Sequence, residues 1–196
     1  MNPAVLSLCY LRGALYAGGR FQYADGNLVK GIAKWDGTAW WGLNGGVQLS
    51  QDDGVFAMLA RGMDLVVGGR HDMAGQMEVR NITIWRVNGW SAMVQGPGDA
   101  VRATVIQGRN IYVGGSFTNI GPVAAHRIAR WDGRQWHTLG QGMNGDVSAL
   151  ALGGPGQLYA GGGFTSAGGS AANRIACLDG TNWTALATGL DGHVMA

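Results

Sequence analysis

The side chains best suited to chemistry are few and scattered. Four histidines, His71, His126, His137 and His193, have no second His or Cys at a metal-ligand spacing. His71-Asp72 and His126 fall in equivalent loops and read as solvated loop residues. No Ser, Cys or His pattern makes a nucleophile elbow. Asp52-Asp53 and Asp25-Gly26-Asn27 carry oxygen ligands of the kind calcium uses, yet neither completes a loop motif, and turn chemistry accounts for both. Gly140-Gln141-Gly142-Met143-Asn144-Gly145 spells G-x-G-x-x-G, which holds phosphate only between a strand and a helix. Here it separates two expected strands and aligns with Gly189–Gly192, so it reads as an inter-repeat turn. Asn81-Ile82-Thr83 and Asn182-Trp183-Thr184 are glycosylation sequons that adjoin or enter expected strands, and structural use is the simpler reading. The expectation is a protein that is not an enzyme, with no catalytic residue, metal or cofactor.

What orders these residues is a repeat. Gly18-Gly19, Gly68-Gly69, Gly114-Gly115 and Gly161-Gly162 each end an apolar triplet. Seventeen residues after the first glycine stand Trp35, Trp85, Trp131 and Leu178, and five further on Trp40, Trp90, Trp136 and Trp183. A period of about 47 residues built from strand-like pieces points to propeller blades. In the third unit, Val101–Ile106 reads as a first strand and Ile111-Tyr112-Val113 as a second, apolar on both faces. A twelve-residue loop, Ser116–Arg127, precedes Ile128–Trp131. Asp132-Gly133 turns the chain into a fourth strand from Trp136 to Leu139. In the second unit the hairpin signal is Asn88-Gly89, two residues later, which implies a shifted register.

Glycine is abundant, 36 of 196 residues, and recurs at fixed places, which argues for turns rather than disorder. The net charge of +2, spread over all four units, leaves no basic stripe for nucleic acid. No stretch is apolar for long enough to span a membrane as a helix. Met1–Leu11 lacks a basic n-region and a small-residue cleavage site and aligns with the later first strands, so it reads as structure rather than as a signal peptide. Cys9 aligns with Leu59, Val105 and Leu152 as a small core residue. A disulfide from Cys9 to Cys177 is the alternative.

The pattern IYVGGSF…IARWDGRQWHTLG resembles the kelch type of β-propeller repeat. It is similar above all to the Gly-rich, Trp-Asp-Gly variety of bacterial surface proteins and fungal polarity-marker ectodomains. Trp35-Asp36 and Trp131-Asp132 also spell the WD40 dipeptide, but that family needs an upstream Gly-His pair and a shorter period. The resemblance implies an all-β, kelch-like β-propeller, four repeats of four antiparallel strands in one domain, 1–196. The repeats run over about 2–51, 52–98, 99–144 and 145–191, with 192–196 opening a further strand. The chain either closes as a four-bladed ring, pairs as half of an eight-bladed one, or is part of a larger propeller.

In such a fold the loop between second and third strands shares a rim with the loop between blades. The four loops, Arg20–Gly31, Arg70–Asn81, Ser116–Arg127 and Gly163–Arg174, match in length and differ in sequence. Arg20, Tyr23, Asp25, Lys30, Arg70, His71, Asp72 and Arg80 make the first two polar, and these are the candidate binding residues. The expected function is a protein-binding or structural accessory subunit, with other protein subunits or self-association as partners. Carbohydrate or cell-surface recognition is the alternative. The expected place is extracytoplasmic, periplasmic or at the cell surface, with a leader left out of this sequence; the alternative is cytosolic.

Overall fold

The structure is a computed structural model describing residues 3–50, 53–87 and 89–195. Among the described residues there is no helix: the chain is all-β, with four four-stranded antiparallel sheets. It divides into two compact units, Met1–Gly96 and Pro97–Ala196. The first unit holds a sheet of Ala4–Leu11, Ala14–Arg20, Ile32–Trp35 and Trp40–Gly42, and a sheet of Gly54–Arg61, Asp64–Arg70, Ile82–Arg86 and Gly89–Ala92. The second holds Val101–Gln107, Asn110–Gly115, Ile128–Trp131 and Trp136–Thr138, then Val147–Leu152, Gln157–Gly162, Ile175–Asp179 and Asn182–Ala185. Strands lie in chain order within every sheet, as a meander with short hairpins dictates.

The Gly-Gly pair has two separate physical causes. Its second glycine lies against the first strand of its own sheet, where the ladder slips by one residue in a bulge, at Val5/Ser7, Val55/Ala57, Val101/Ala103 and Val147/Ala149. There a Cβ on Gly19, Gly69, Gly115 or Gly162 would run into the carbonyl of Ala4, Gly54, Ala100 or Asp146. The first glycine faces outward and is a socket for the next repeat. Val55 methyls fill it at Gly18, Val147 at Gly114 and Val194 at Gly161.

Within each unit the second sheet packs on the first through one apolar cluster. In the first unit Ile32, Leu43, Val47, Val55, Leu65 and Val67 are fully or nearly fully buried. In the second, Ile128, Met143, Val147, Leu158 and Phe164 take those roles. The fourth-strand tryptophan seals the joint. Trp90 donates its indole N–H to the Leu43 carbonyl at 2.9 Å, and Trp183 donates to Leu139 at the same distance. The inter-repeat turn then bridges the next repeat, Val47 to Ala74 and Met143 to Ala167. The loop between blades and the loop between second and third strands do share a rim within each unit.

Trp35 and Trp40, Trp85 and Trp90, and Trp131 and Trp136 are cross-strand pairs, with ring centroids 5.5, 5.0 and 5.2 Å apart. The second repeat keeps this pairing, so the expected register shift does not occur. Its ladder instead runs on to Arg86 opposite Gly89. Asn88 lies outside the described residues, as does Asp52. Asp53 is a turn residue whose carboxylate accepts the Ser50 amide N–H at 2.7 Å. Cys9 and Cys177 are free thiols, and Cys9 is half-buried at the edge of the core.

Candidate functional site

The two polar loops of the first unit are more structural than their composition suggests. Each contains a miniature hairpin, Tyr23–Ala24 with Asn27–Leu28 and Met73–Ala74 with Met77–Glu78. Asp25 and Gly26, at φ 49° and 75°, form the two-residue turn of the first. Tyr23, Asp25, Lys30, Asp72 and Arg80 are exposed. Arg20 and Arg70 are half-buried at the ends of the second strands, and the Arg20 guanidinium lies 5.4 Å over the Phe56 ring. In the second unit an arginine serves from the opposite end of the loop. Arg127, at φ 67°, donates to the Ser116 carbonyl at 2.6 Å, and Arg174, at φ 66°, donates to the Gly163 and Phe164 carbonyls. A guanidinium pinning the loop ends is thus a feature of the fold.

His71 does not belong to the rim surface. It is buried, and neither ring nitrogen has a hydrogen-bond partner. Its column of the repeat holds Phe21, Phe117 and Phe164, the last two fully buried. The imidazole occupies a phenylalanine socket, and burial away from any partner pushes its pKa down to about 4. The reading of His71 as a solvated loop residue is therefore corrected. His126, at a different point of its loop, is exposed.

The Asp132–His137 pair, 2.7 Å apart, is a hairpin device. Asp132 also accepts the Arg134 and Gln135 amides, and these bonds hold its carboxyl well below the usual carboxylate range. Asp36 does the same with Thr38 and Ala39, and there the Trp41 indole stands in for the imidazole. Among the described residues no three His, Cys, Asp or Glu side chains lie close enough to hold a metal ion.

The surface that stands out is the outward face of the first sheet. Val5, Leu8 and Tyr10 are 59%, 61% and 71% exposed. Their counterparts in the second repeat are Val55, which is fully buried, and Met58 and Ala60, which pack on the core between sheets. Beside Val5 a cavity of about 260 Å³ is lined by Ala17, Phe21, Tyr23, Ala24, Ala33 and Trp40. This is the place that the inter-repeat turn fills in front of the second sheet. Fully burying a side chain the size of valine or leucine is worth roughly 1.5–3 kcal/mol, so the face carries unused association energy. A second concavity, of about 440 Å³, lies on the first unit near Arg12, Tyr16, Lys34, Trp41, Trp85 and Arg86.

The sequence marks Met1–Leu11 as a first strand by its likeness to the later ones, which does not single out its outward face as a site. The signal was available: the first strand is as apolar as its copies in the later repeats.

No family model matches the chain, and no curated protein matches it either. Solved structures do. The computationally designed protein Ika4 is similar at a TM-score of 0.57 and 16% identity, over 91% of this chain and 92% of that one. A chain of the mitotic checkpoint complex is similar at 0.61 and 16%, over 97% of this chain and 55% of that one. The extracellular domain of a one-component system from B. thetaiotaomicron gives 0.58 and 12%, over 95% of this chain and 23% of that one. The chain thus spans about half of the checkpoint chain and under a quarter of the bacterial one. At these identities the likeness bears on fold alone, and with two four-stranded antiparallel sheets in each unit it makes the fold β-propeller-like, with four blade-type sheets.

Proposed function

We propose that the chain is a kelch-like, non-catalytic propeller module that binds protein as a structural or accessory subunit of a larger assembly. The observation that carries this reading is the open apolar face of the first sheet, with Val5, Leu8 and Tyr10 exposed beside an apolar cavity. A large apolar surface on a β-sheet favours burial against another chain. The similarity to a chain of the mitotic checkpoint complex, itself a protein assembly, is in keeping with that use. The test is the native mass of the chain as isolated from its source. Co-migration with other polypeptide chains in a fixed ratio supports the reading; a lone species of 20.5 kDa refutes it.

A second reading, carbohydrate or cell-surface recognition, is favoured by the groove near Trp41 and Trp85. There an exposed indole and a half-buried one accompany the cations Arg12 and Lys34, chemistry suited to stacking on sugar rings. Saturable binding from a glycan panel, lost in Trp41→Ala, would establish it.

A further inference from the structure

We infer that the outward face of the first sheet is one half of a head-to-tail interface, and that its occupant is the last repeat of a second copy of this chain. The inference rests on the protein-binding reading above and names the partner.

Each of the two units contains one inter-sheet joint. Each joint has an incoming half and an outgoing half. The incoming half is a valine on the first strand, a small or apolar residue in the miniature hairpin, and the fourth-strand tryptophan: Val55, Ala74 and Trp90, or Val147, Ala167 and Trp183. The outgoing half is a glycine socket, an apolar residue on the inter-repeat turn and a leucine carbonyl: Gly18, Val47 and Leu43, or Gly114, Met143 and Leu139.

The first repeat carries a complete incoming half that is unused. Val5, Ala24 and Trp40 stand in the three positions, all lining the cavity. Among the described residues the Trp40 indole N–H makes no hydrogen bond, and Ala24, paired only with Asn27 in its own hairpin, has no bridge to an inter-repeat turn. The last repeat carries an outgoing half built like the other two. Its turn closes with the Gly189 amide on the Leu186 carbonyl at 3.0 Å, as Gly46 closes on Leu43 and Gly142 on Leu139. The Leu190 amide bonds the Asn173 carbonyl as Val47 bonds Lys30 and Met143 bonds His126. Leu190 is nevertheless 47% exposed, whereas Val47 and Met143 are 0% and 3%. In the docked pair Leu190 of one copy enters the cavity beside Val5 and Trp40 of the other, and the Leu186 carbonyl accepts the indole N–H. An interface with two different halves is heterologous, so copies join in a ring or a row rather than face to face.

One contact is contested. The Gly161 socket, which would take Val5 of the other copy, already holds Val194. Vacating it therefore strengthens association.

The test is the mass of the full chain in solution, by light scattering or sedimentation, for wild type, V194D, V5D and L190D. Val5 and Leu190 are exposed, so their substitutions leave the fold intact, which the thermal unfolding of each variant checks. Expected are multiples of 20.5 kDa for V194D, at concentrations about tenfold lower than wild type requires. V5D and L190D, each introduced into V194D, should return 20.5 kDa species. Mixing those two double variants should restore a dimer, because each keeps one sound half. A wild type and a V194D that both stay at 20.5 kDa would overturn the proposal, and so would a multimer that V5D and L190D leave intact. Neither result would touch fixed-ratio co-migration with other proteins, which stands or falls separately.

Discussion

His71→Phe is expected to stabilise the protein and to remove a step in its acid sensitivity. The native imidazole has a pKa of about 4, against an ordinary value of 6.5, because it is buried without a partner for either ring nitrogen. The folded state therefore binds the proton less well than the unfolded chain does. Its stability is complete above pH ~6.5 and is lost as pH falls from there through ~4. By linkage the loss is about 2 kcal/mol by pH ~5 and about 3 kcal/mol by pH ~4. At neutral pH the ring still leaves one donor and one acceptor unsatisfied, each costing roughly 1–3 kcal/mol. Phenylalanine removes both penalties in a site whose counterparts already bury Phe117 and Phe164. Some overpacking offsets the gain, leaving about 1–3 kcal/mol at neutral pH. Urea unfolding of wild type and variant across pH ~7.5 to ~4.5 measures it. A variant less stable at neutral pH, or one that loses stability below pH ~6.5 as steeply as wild type, would refute the reasoning.

Three further outcomes follow from the joints and the Gly-Gly pair. Trp90→Phe and Trp183→Phe each delete an indole bond but leave the accepting carbonyl its turn amide, so chemical denaturation should show a loss of about 1–2 kcal/mol. Gly69→Ala drives a Cβ into the Gly54 carbonyl and should cost about 2–3 kcal/mol or more. Gly89→Ala, with open space around it, should fall within about 0.5 kcal/mol of wild type in the same assay. Asp132→Ala should loosen the Trp131–Trp136 hairpin, which amide exchange at Arg134 and Gln135 reads directly as lost protection.

The four four-stranded sheets were legible because glycine pairs and tryptophans keep their spacing under packing constraint. The second glycine of each pair faces a bulged ladder in all four sheets, and the indole bond to a leucine carbonyl is made by Trp90 and Trp183. The miniature hairpins were less visible. Two-residue strands carry no periodicity, although Asp25-Gly26 and Gly168-Gly169 are turn signals inside them. The candidate site was harder still. Polar composition marked Arg20, Arg70 and His71, but an arginine can pin a loop and a histidine can fill a phenylalanine socket, and only packing separates those uses from display. The open face was hidden for the opposite reason: its residues look like core, and in the later repeats their counterparts are core.

The face bearing Val5, Leu8 and Tyr10 is proposed to meet another protein chain. A photo-crosslinking amino acid placed at Leu8, with Val123 as an exposed control on another repeat, tests it in the cells that make the protein. A discrete protein adduct is expected at Leu8 and none at Val123. Absence of any adduct at Leu8, or the same diffuse adducts at both positions, would contradict it.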